Sequence, residues 1–393
     1  MNTKRAPKVR FKGFTDAWEL RKFESIAARA SSISADPTLP RVEYEDIISG
    51  IGLLNKDVKL KGISKPGIVF NQGDILYGKL RPYLHNWFLP SFSGLAVGDF
   101  WVLQPKDADS SFLFRLIQGQ QFDDVANQSI GTKMPRADWN LVSKTLFFVP
   151  TSIDEQALIG RYFRSIDNLI TLHQRKLDKM KELKKAFLNL IFSQKLRFYG
   201  FTDSWELRKL EEVAPLRGGY AFQSNQYANE GIPIVRISNI LSDGSVGGEF
   251  VFHNELKDDE IFMLENGDIV LAMSGATTGK VSILSSEKSC KYYQNQRVGL
   301  FSKTATCNYS FVATIVRSEK FLEQLRDVLV AGAQPNVSAK DIDAFDFSVP
   351  KDVEEQSQIG NFFRTLDRLI TLYQKKIDSS KEMKKILLKN MLI

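Results

Sequence analysis

Two copies of one long amphipathic pattern constrain this chain more than any other feature. The first copy covers residues 155–192, and the second covers 355–393 at an offset of 200 without a gap. Neither copy contains proline, and the single glycine of each, Gly160 or Gly360, lies in its first turn. Apolar residues recur at helical spacing, and charged residues fill most other positions. The pattern predicts two α-helices, each roughly 55 Å long at about 1.5 Å per residue.

Each predicted helix carries an apolar stripe that it cannot bury alone. Because the two stripes share one register, we predict that the helices pair in a coiled coil. Independent packing of each helix on its own globular domain is the alternative. The predicted contact residues are Ile159, Phe163, Ile166, Ile170, Leu177, Met180 and Phe187 on the first helix, and Ile359, Phe363, Leu366, Ile370, Ile377, Met383 and Leu387 on the second.

A shorter repeat precedes each globular segment. Residues 11–22, FKGFTDAWELRK, return at 198–209 as FYGFTDSWELRK. The chain therefore reads as two tandem units of leader, globular segment and long helix. The globular segments diverge almost completely, which predicts a constant frame that displays two different surfaces. We place the leader and first domain at 1–150, the first helix at 151–197, the second leader and domain at 198–350 and the second helix at 351–393.

The globular segments combine short strands with a few helices. Apolar runs punctuated by Gly, Asn and Pro predict strands near residues 67–70, 73–77, 96–103 and 144–150 of the first segment, with counterparts at 232–237, 267–272 and 345–350. One amphipathic helix is predicted at 112–125 and its counterpart at 310–329. The predicted fold is α+β, with two mixed α/β domains held apart by the helix pair in a tandem repeat with pseudo-twofold symmetry.

The connection between the repeats predicts the direction of the helices. The first helix delivers the chain to the second domain, where the second helix begins. If the domains lie at opposite ends of the pair, the second helix runs back and the coiled coil is antiparallel. Ile393 then lies near Phe11. A parallel pair would require the second domain to fold back beside the first.

Composition restricts the compartment. Two cysteines in 393 residues, Cys290 and Cys307, are typical of a reducing compartment and argue against a disulfide framework. The first residues carry charge without an apolar signal core, and no apolar run approaches membrane-spanning length. We therefore expect a cytoplasmic protein. The net charge of +7 is concentrated in the helical stretches, since residues 155–195 carry +5 and 355–393 carry +4.

We find no catalytic constellation in the sequence. Residues 275–281, GATTGKV, are one residue short of a phosphate-binding loop and lack the Ser or Thr that would hold magnesium, so a glycine-rich turn explains them better. The three histidines are scattered, and the cysteines lack zinc-site spacing. The acidic runs 258–260 and 354–355 are interpreted as solvated turns and a helix N-terminus. We expect no catalytic residue and no metal site.

Several polar clusters contain the residue types that read base edges in DNA. Arg and Lys pair with guanine, and Asn and Gln pair with adenine. Residues 133–136 and 334–336 occupy equivalent positions yet differ in chemistry, as two readers of different sequences would require. The DNA-binding candidates are Lys79, Arg81, Tyr83, Lys133 and Arg136 in the first segment, and Arg217, Tyr220, Arg236, Ser238, Asn239, Thr277, Lys280, Tyr292, Gln294, Gln296, Arg297, Gln334 and Asn336 in the second.

The chain resembles the specificity subunit of type I restriction–modification systems over essentially its whole length. The carriers are the two helix sequences that start near Pro150 and Pro350, the WELRK leaders at Trp18 and Trp205, and the Gly-Asp-Ile strands. The resemblance implies two target-recognition domains separated by an antiparallel coiled coil, each reading one half of a split double-stranded DNA sequence. It also implies a non-catalytic subunit that works with methyltransferase subunits, two by expectation, and with restriction subunits.

The resemblance implies no cofactor on this chain. S-adenosylmethionine, ATP and magnesium would belong to the partner subunits. One alternative is a self-contained adenine methyltransferase, but the sequence lacks an Asn/Asp-Pro-Pro-aromatic motif and a glycine-rich cofactor loop. The other alternative is a coiled-coil scaffold that binds only proteins. The divergent globular segments, which carry Arg, Asn and Gln, argue against that scaffold.

Overall fold

The computed structural model describes residues 4–58, 65–128, 133–286, 290–331 and 336–392. The chain divides into two compact units. The first unit is Met1–Leu177 with Tyr373–Ile393, and the second is Asp178–Leu372. Each long helix is thus shared between the two units. The sequence instead predicts a segment of its own for each helix. The predicted domain boundaries stay a prediction.

The first unit is built mainly from short strands. Its strands are Lys4–Arg5 (β1), Trp18–Lys22 (β2), Ala27–Arg29 (β3), Ile33–Ser34 (β4), Arg41–Val42 (β5), Ile47–Ile48 (β6), Leu53–Leu54 (β7), Gly67–Phe70 (β8), Ile75–Gly78 (β9), Trp87–Phe88 (β10), Gly94–Ala96 (β11), Phe100–Pro105 (β12) and Leu146–Val149 (β13). They form sheets in the orders β1-β2-β13, β10-β9-β12-β3 and β4-β8-β11-β5, with β6 paired to β7. The β5–β11 pair is parallel, and the other strand pairs in these sheets are antiparallel.

The helices of the first unit correct one expectation. They are Phe23–Ile26 (α1), Ser110–Leu116 (α2), Gln120–Ala126 (α3), Trp139–Lys144 (α4) and the first part of Ile153–Phe192 (α5). The single helix predicted at 112–125 is two short helices. A turn separates them, because the Gly119 amide donates to the Leu116 carbonyl at 3.0 Å. Likewise, the strand predicted at 96–103 is the two strands β11 and β12.

The second unit repeats this plan. Its strands are Glu206–Lys209 (β14), Leu216–Gly218 (β15), Ile232–Val235 (β16), Val251–His253 (β17), Met263–Leu264 (β18), Ile269–Ala272 (β19), Val281–Ile283 (β20), Tyr292–Gln294 (β21), Val298–Phe301 (β22) and Asp346–Val349 (β23). The sheet orders are β14-β23, β15-β22-β19-β20 and β17-β16-β21-β18, with β16 and β21 parallel. The order β20-β19-β22-β15 corresponds to β10-β9-β12-β3 of the first unit, so the divergent sequences share one scaffold.

The helices of the second unit show the same break. They are Leu210–Val213 (α6), Tyr309–Ile315 (α7), Glu319–Ala331 (α8), Ala339–Asp343 (α9) and the first part of Val353–Met391 (α10). The predicted helix 310–329 is divided at Ser318. The Ser318 hydroxyl donates to the Ile315 carbonyl at 2.7 Å and accepts from the Phe321 amide at 3.3 Å, so it caps α8.

The two long helices run antiparallel. In the first unit, Asp167 of α5 lies 2.8 Å from Lys384 of α10, and six residues further along α5 the ring of His173 meets the earlier residue Tyr373 of α10. In the second unit, Lys184 pairs with Asp367 at 2.5 Å and the ring of Phe187 meets Phe362 at 5.2 Å. Partner positions therefore decrease along α10 as they increase along α5. Among the described residues, no helix is long and apolar enough to cross a membrane.

The seam between the helices follows a heptad repeat. Spacings of three and four residues recur without a break through Tyr373, Ile377, Ser380, Lys384 and Leu387. Most predicted contact residues are buried or half-buried, and their contact across the helix pair stays a prediction: Ile159, Phe163, Ile166, Ile170, Leu177, Met180 and Phe187, with Ile359, Phe363, Leu366, Ile370, Ile377 and Leu387.

Met383 is the exception. Its side chain is 55% exposed, so it does not lie in the seam. The heptad places Lys384 there instead, and its ammonium group is used in the ion pair with Asp167.

The end of α10 lies beside the N-terminal leader, as the antiparallel arrangement predicts. The Val9 amide donates to the Asn390 carbonyl at 3.1 Å. Met391 and Leu392 belong to the core of the first unit, and Phe11 packs against that core. Ile393 itself lies outside the described residues.

Candidate nucleic-acid interface

A buried carboxylate at the start of α5 fixes the helix to the leader. Arg10 donates to both oxygens of Glu155, from Nε at 2.6 Å and from Nη2 at 2.8 Å. The indole Nε1 of Trp18 donates to the same carboxylate at 3.3 Å. Glu155 is fully buried, and its hydrogen bond raises the pKa of Arg10 above the usual value. These contacts explain why Trp and Glu recur in both repeats.

The second unit contains the same contacts. Arg197 binds Glu355 through Nε at 2.9 Å and Nη2 at 2.7 Å, and Trp205 donates to it at 3.3 Å. Glu354 and Glu355 lie in the first turn of α10, so the interpretation of this run as a helix N-terminus is confirmed, and Glu355 is 1% exposed. The Glu355 carboxylate can be buried because a bidentate arginine and an indole N–H both bind it. The two repeats therefore share the buried contacts between leader and helix as well as the sequence of these segments.

The acidic run 258–260 differs from its interpretation. Asp259 is only 6% exposed. It binds the Lys291 ammonium at 2.5 Å and accepts a hydrogen bond from the Tyr293 hydroxyl at 2.5 Å. These bonds lower the pKa of Asp259, with the Lys291 bond as the larger cause. Asp259 is a structural residue and not a solvated turn residue.

Three loops of the first unit meet where β9 ends. The Lys79 amide donates to the Asp99 carbonyl at 2.9 Å, and the Lys79 carbonyl accepts from the Ala137 amide at 2.8 Å. The Arg81 amide donates to the Pro135 carbonyl at 2.8 Å. The two polar clusters predicted in the first segment, near 79–83 and 133–136, are therefore brought together. We call this place the first junction.

Cationic side chains dominate the first junction. Arg136 binds the Asp99 carboxylate through Nε at 3.2 Å and Nη2 at 3.0 Å, and the Lys79 ammonium lies 3.5 Å from its other oxygen. Arg81 and Lys133 are exposed. Four cations against one carboxylate make a surface suited to the phosphates and guanine edges of DNA. Tyr83, 47% exposed, lies in the same loop as Arg81.

Tyr44 supports the first junction, and sequence reasoning missed it. Its hydroxyl donates to the Asp99 carbonyl and accepts from the Leu80 amide, the latter at 3.2 Å. Its ring stacks on Phe100 with centroids 4.5 Å apart, and burial raises the pKa of its hydroxyl. No motif surrounds Tyr44 in the sequence. Only its distant hydrogen-bond partners reveal that it positions the loops.

The second unit has an equivalent junction. The Met273 amide donates to the Arg297 carbonyl at 3.0 Å, and the Met273 carbonyl accepts from the Val337 amide at 2.9 Å. This bonding repeats that of Lys79 with Asp99 and Ala137. We call this place the second junction.

The equivalent positions of the two junctions carry different side chains. Asp99 is replaced by Arg297, and Arg136 by Asn336, which lies just before Val337. Lys79 is replaced by Met273, which is 7% exposed. Arg297 and Asn336 are both exposed. The first junction is therefore a set of cations around an acid, and the second presents an arginine with an amide.

Other candidates of the second unit lie close to its junction. The Asn295 amide donates to the Val235 carbonyl at 3.1 Å, and the Tyr220 amide donates to the Gln294 carbonyl at 2.9 Å. The Thr277 hydroxyl donates to the Ile237 carbonyl at 3.2 Å. The segments near 217–220, 236–239, 275–280 and 292–297 are thus linked by hydrogen bonds, two between backbone groups and one from the Thr277 hydroxyl.

Two candidates lie in the interior, which does not fit contact with bases. Asn239 is 1% exposed, and its amide group donates to the carbonyls of Gly247 and Glu249 at 3.0 Å each. Gln294 is 0% exposed and donates to the carbonyls of Arg217 and Val298 at 2.8 and 2.7 Å. Both amides are spent on holding loops, so we leave them out of the proposed surface.

The remaining candidates differ in exposure. Ser238, Tyr220 and Gln296 are exposed, whereas Arg217, Arg236, Thr277, Lys280 and Tyr292 are half-buried. Gln334 lies outside the described residues. The assignment of the exposed candidates to DNA stays a prediction. Among the described residues, no group of three or more His, Cys, Asp or Glu side chains could hold a metal ion.

A known protein family matches the second half of this chain. Residues 202–380 match the family described as the type I restriction modification DNA specificity domain. This chain is similar to the type I specificity subunits. The resemblance inferred from the repeated helices is confirmed, and the matched residues cover most of the second leader, the second junction and most of α10.

Similar proteins extend the relation to most of the chain. The specificity subunit of the type I restriction enzyme MjaVIII from Methanocaldococcus jannaschii is 25% identical over 85% of this chain and 81% of its own length. The crystal structure of a type I system S subunit from M. genitalium has a TM-score of 0.68 at 15% identity and covers 99% of both chains. A chain from a structure on complex assembly of a type I R-M system has a TM-score of 0.52 at 16% identity, covering 96% of this chain and 98% of that one. At these identities the two structures support the fold alone.

Proposed function

We propose that this chain is the DNA-recognition subunit of a type I restriction–modification complex, in which each unit reads one half of a bipartite target. The observation that carries the proposal is the pair of junctions. Their backbone hydrogen bonds repeat, yet Asp99 and Arg136 are replaced by Arg297 and Asn336. One scaffold that presents different donors and acceptors twice is suited to reading two different half-sites.

The chain recognises DNA without catalysing a reaction on it. Its relatives are named as specificity subunits, and its sequence lacks both a methyltransferase motif and a nucleophile with a positioned base. S-adenosylmethionine, ATP and magnesium would be bound by the modification and restriction subunits. We place the complex in the cytoplasm, because its proposed substrate is cellular DNA and the chain has only two cysteines.

The outer faces of the long helices fit a docking role for modification subunits. In the first unit, Leu169 and Leu172 of α5 are 45% and 48% exposed, and Met383 and Ile386 of α10 are 55% and 51% exposed. In the second unit, the exposed leucines of these helices are Leu183, Leu190 and Leu372. Exposed apolar residues in a repeated pattern favour helical partners on each unit. We propose two modification subunits for this reason.

The test is a segment exchange in the assembled complex. The full chain is co-expressed with its modification subunit, and methylated bases are mapped in host DNA. Residues 26–150 are then replaced by the equivalent segment of another type I specificity subunit. We expect one half of the methylated motif to change while the other half and the methyl transfer itself persist. A simultaneous change in both halves would contradict the assignment of one half-site to each unit.

One further assay, together with the segment exchange, separates the alternatives. A self-contained methyltransferase would modify DNA without the modification subunit, so the purified chain alone is assayed with S-adenosylmethionine. A protein-only scaffold would assemble with its partners, but exchange of residues 26–150 would leave the methylated sequence unchanged. We expect neither result.

A further inference from the structure

The loops that leave β9 and β19 share two backbone hydrogen bonds. In the first unit, the Gly78 amide donates to the Asn86 carbonyl at 2.7 Å, and the Leu84 amide donates to the Arg81 carbonyl at 2.9 Å. In the second unit, the corresponding bonds join Ala272 to Lys280 at 2.9 Å and Thr278 to Gly275 at 3.1 Å. The two loops are therefore built alike, and their residues correspond one to one.

The residues at the left-handed positions of these loops differ. Gly275 and Gly279 have φ angles of +74° and +87°. The corresponding residues of the first unit are Arg81 and His85, with φ angles of +50° and +54°. Glycine adopts this conformation without steric cost, whereas Arg and His do not.

The second unit thus shows what the loop needs for folding alone. Glycine at both positions supports the two shared hydrogen bonds, so these bonds do not require the side chains of Arg81 and His85; the amide of Gly279 donates to Ala272, whereas that of His85 donates to Pro82. Strained residues persist where their side chains have a use. The first unit therefore keeps these two side chains for something other than the loop conformation.

The surroundings of the two side chains suggest different uses. His85 lies 2.9 Å from the Asp123 carboxylate, and its ring stacks on Trp87 with centroids 4.8 Å apart. Arg81 is exposed at the first junction, and within the described part of the chain its guanidinium has no hydrogen-bond or ion-pair partner. His85 anchors the loop, and Arg81 extends from it with its donors unused.

We propose that Arg81 is a specificity-determining residue of the first unit, whose guanidinium reads a guanine edge of the DNA, and that His85 is its positioning residue. This proposal rests on the proposed function of the chain. A bidentate contact of arginine to O6 and N7 of guanine needs a fixed approach, which an anchored loop provides. A phosphate contact would not need it, because any cation on a relaxed backbone can make one.

Three variants of the full chain, each assembled with the modification subunit, test the proposal. Arg81→Gly introduces the residue that the second unit has at this position. Arg81→Lys keeps the positive charge but removes the guanidinium that can bind guanine through two hydrogen bonds. Asp107→Gly is the matched control, since Asp107 is an exposed non-glycine residue with φ of +41° in the same unit. The readouts are the sequences methylated in a pool of randomised duplex DNA and the Tm of each variant.

We expect Arg81→Gly to lose discrimination at one position of the first half-site by roughly 5- to 150-fold and to leave the second half-site unchanged. Arg81→Lys should show the same loss, because charge alone does not select guanine. The Tm of Arg81→Gly should equal or exceed that of the wild type, and Asp107→Gly should keep the full motif.

Other results would overturn the assignment of Arg81. An unchanged motif, weaker methylation of all sequences alike, or a lowered Tm accompanying the loss would each exclude a base-reading role. If the wild-type complex selects no bipartite motif, the proposed function itself fails. That outcome is distinct from a wild-type motif that Arg81→Gly leaves intact.

Discussion

The ammonium group of Lys384 lies 2.8 Å from the Asp167 carboxylate. The equivalent residues of the other repeat form the same pair with the helices exchanged: Lys184 of α5 binds Asp367 of α10 at 2.5 Å. Each lysine occupies a seam position of its helix, where an apolar residue would ordinarily lie. The carboxylate of Asp167 also binds Arg115 at 2.7 Å, and this arginine is 3% exposed. One carboxylate thus joins both helices to the globular part of the first unit.

Removal of this carboxylate should destabilise the protein strongly. Asp167→Ala leaves the buried Arg115 and the half-buried Lys384 without their anion, and burial already lowers the pKa of both groups. Breaking a buried pair from one side costs about 3–5 kcal/mol. We expect a loss of this size in the free energy of unfolding, measured by urea titration followed by circular dichroism.

An exposed pair on the same helix gives the control. Lys179 and Glu182 lie 3.5 Å apart, and their side chains are 68% and 71% exposed. Glu182→Ala should cost about 0–1 kcal/mol. Similar effects of Asp167→Ala and Glu182→Ala would show that the half-buried Asp167 carboxylate contributes no more than a surface charge.

Gly160 should not tolerate a methyl group, although alanine favours helices. A Cβ atom at Gly160 would lie 1.8 Å from Oγ of Ser111 and 2.7 Å from its carbonyl carbon. Alanine gains about 1 kcal/mol in helix propensity, but overpacking against backbone costs typically 1–3 kcal/mol or more. We expect Gly160→Ala to lower the Tm. Asn168→Ala, at an exposed position of the same helix, should leave it unchanged or raise it.

The long helices could be predicted because periodicity is visible in the sequence. Helical spacing of apolar residues located the stripes, but Met383 was a wrong choice, because an apolar pattern cannot point to a charged residue such as Lys384. Lys384 fits the heptad better, and its partner Asp167 is more than 200 residues away in sequence. A charged seam residue is recognised only when its counter-ion is known.

The candidate site was less predictable. The clusters near 79–83 and 133–136 were found by residue type, but nothing in the sequence indicates that Lys79 is hydrogen-bonded to both Asp99 and Ala137. Asn239 looked like a base-reading residue because Asn serves both in recognition and in holding loops. Burial separates these roles, and burial depends on tertiary packing.

Arg136 and Asn336 form a matched pair for the two junctions. If each contacts a base, Arg136→Ala should relax one position of one half-site and Asn336→Ala one position of the other, at about 1–3 kcal/mol each. Methylated-base mapping in the assembled complex measures both effects. Relaxation of the same half-site by both variants would contradict the assignment of one reader to each unit. Equal weakening on all sequences would instead assign that residue to phosphate contact.

The two cysteines should differ in reactivity. Burial raises the pKa of Cys307 to about 12, whereas Cys290 is exposed. Since the thiolate is the reactive form, Cys307 should resist a thiol reagent at pH 8 until the second unit unfolds. We expect one fast thiol in the native protein and two in urea, counted with Ellman's reagent. Cys290→Ser should abolish the fast reaction and Cys307→Ser should preserve it. A fast reaction that survives in Cys290→Ser would contradict the buried environment of Cys307.

Asp259 predicts an acid-dependent loss of stability in the second unit. Hydrogen bonds from Lys291 and Tyr293 lower its pKa below the ordinary value of 3.8. Because the folded state holds the proton less tightly than the unfolded state, the stabilisation from Asp259 is complete above pH 3.8 and is lost as the pH falls through the lowered pKa. Asp259→Asn should therefore be less stable than the wild type at pH 6, and the difference in free energy of unfolding should shrink as the pH falls below 3.8.

The exposed neighbour Asp258 provides the control for this titration. Asp258→Asn alters the same turn without removing the bonds to Lys291 and Tyr293, so its stability should follow that of the wild type from pH 6 to the acid limit. Urea unfolding at a series of pH values measures all three proteins. A difference between the wild type and Asp259→Asn that stays constant on acidification would mean that Asp259 acts through packing and not through its charge. A difference that grows would reverse the sign of the proposed linkage, because the charged form of Asp259 would then oppose folding.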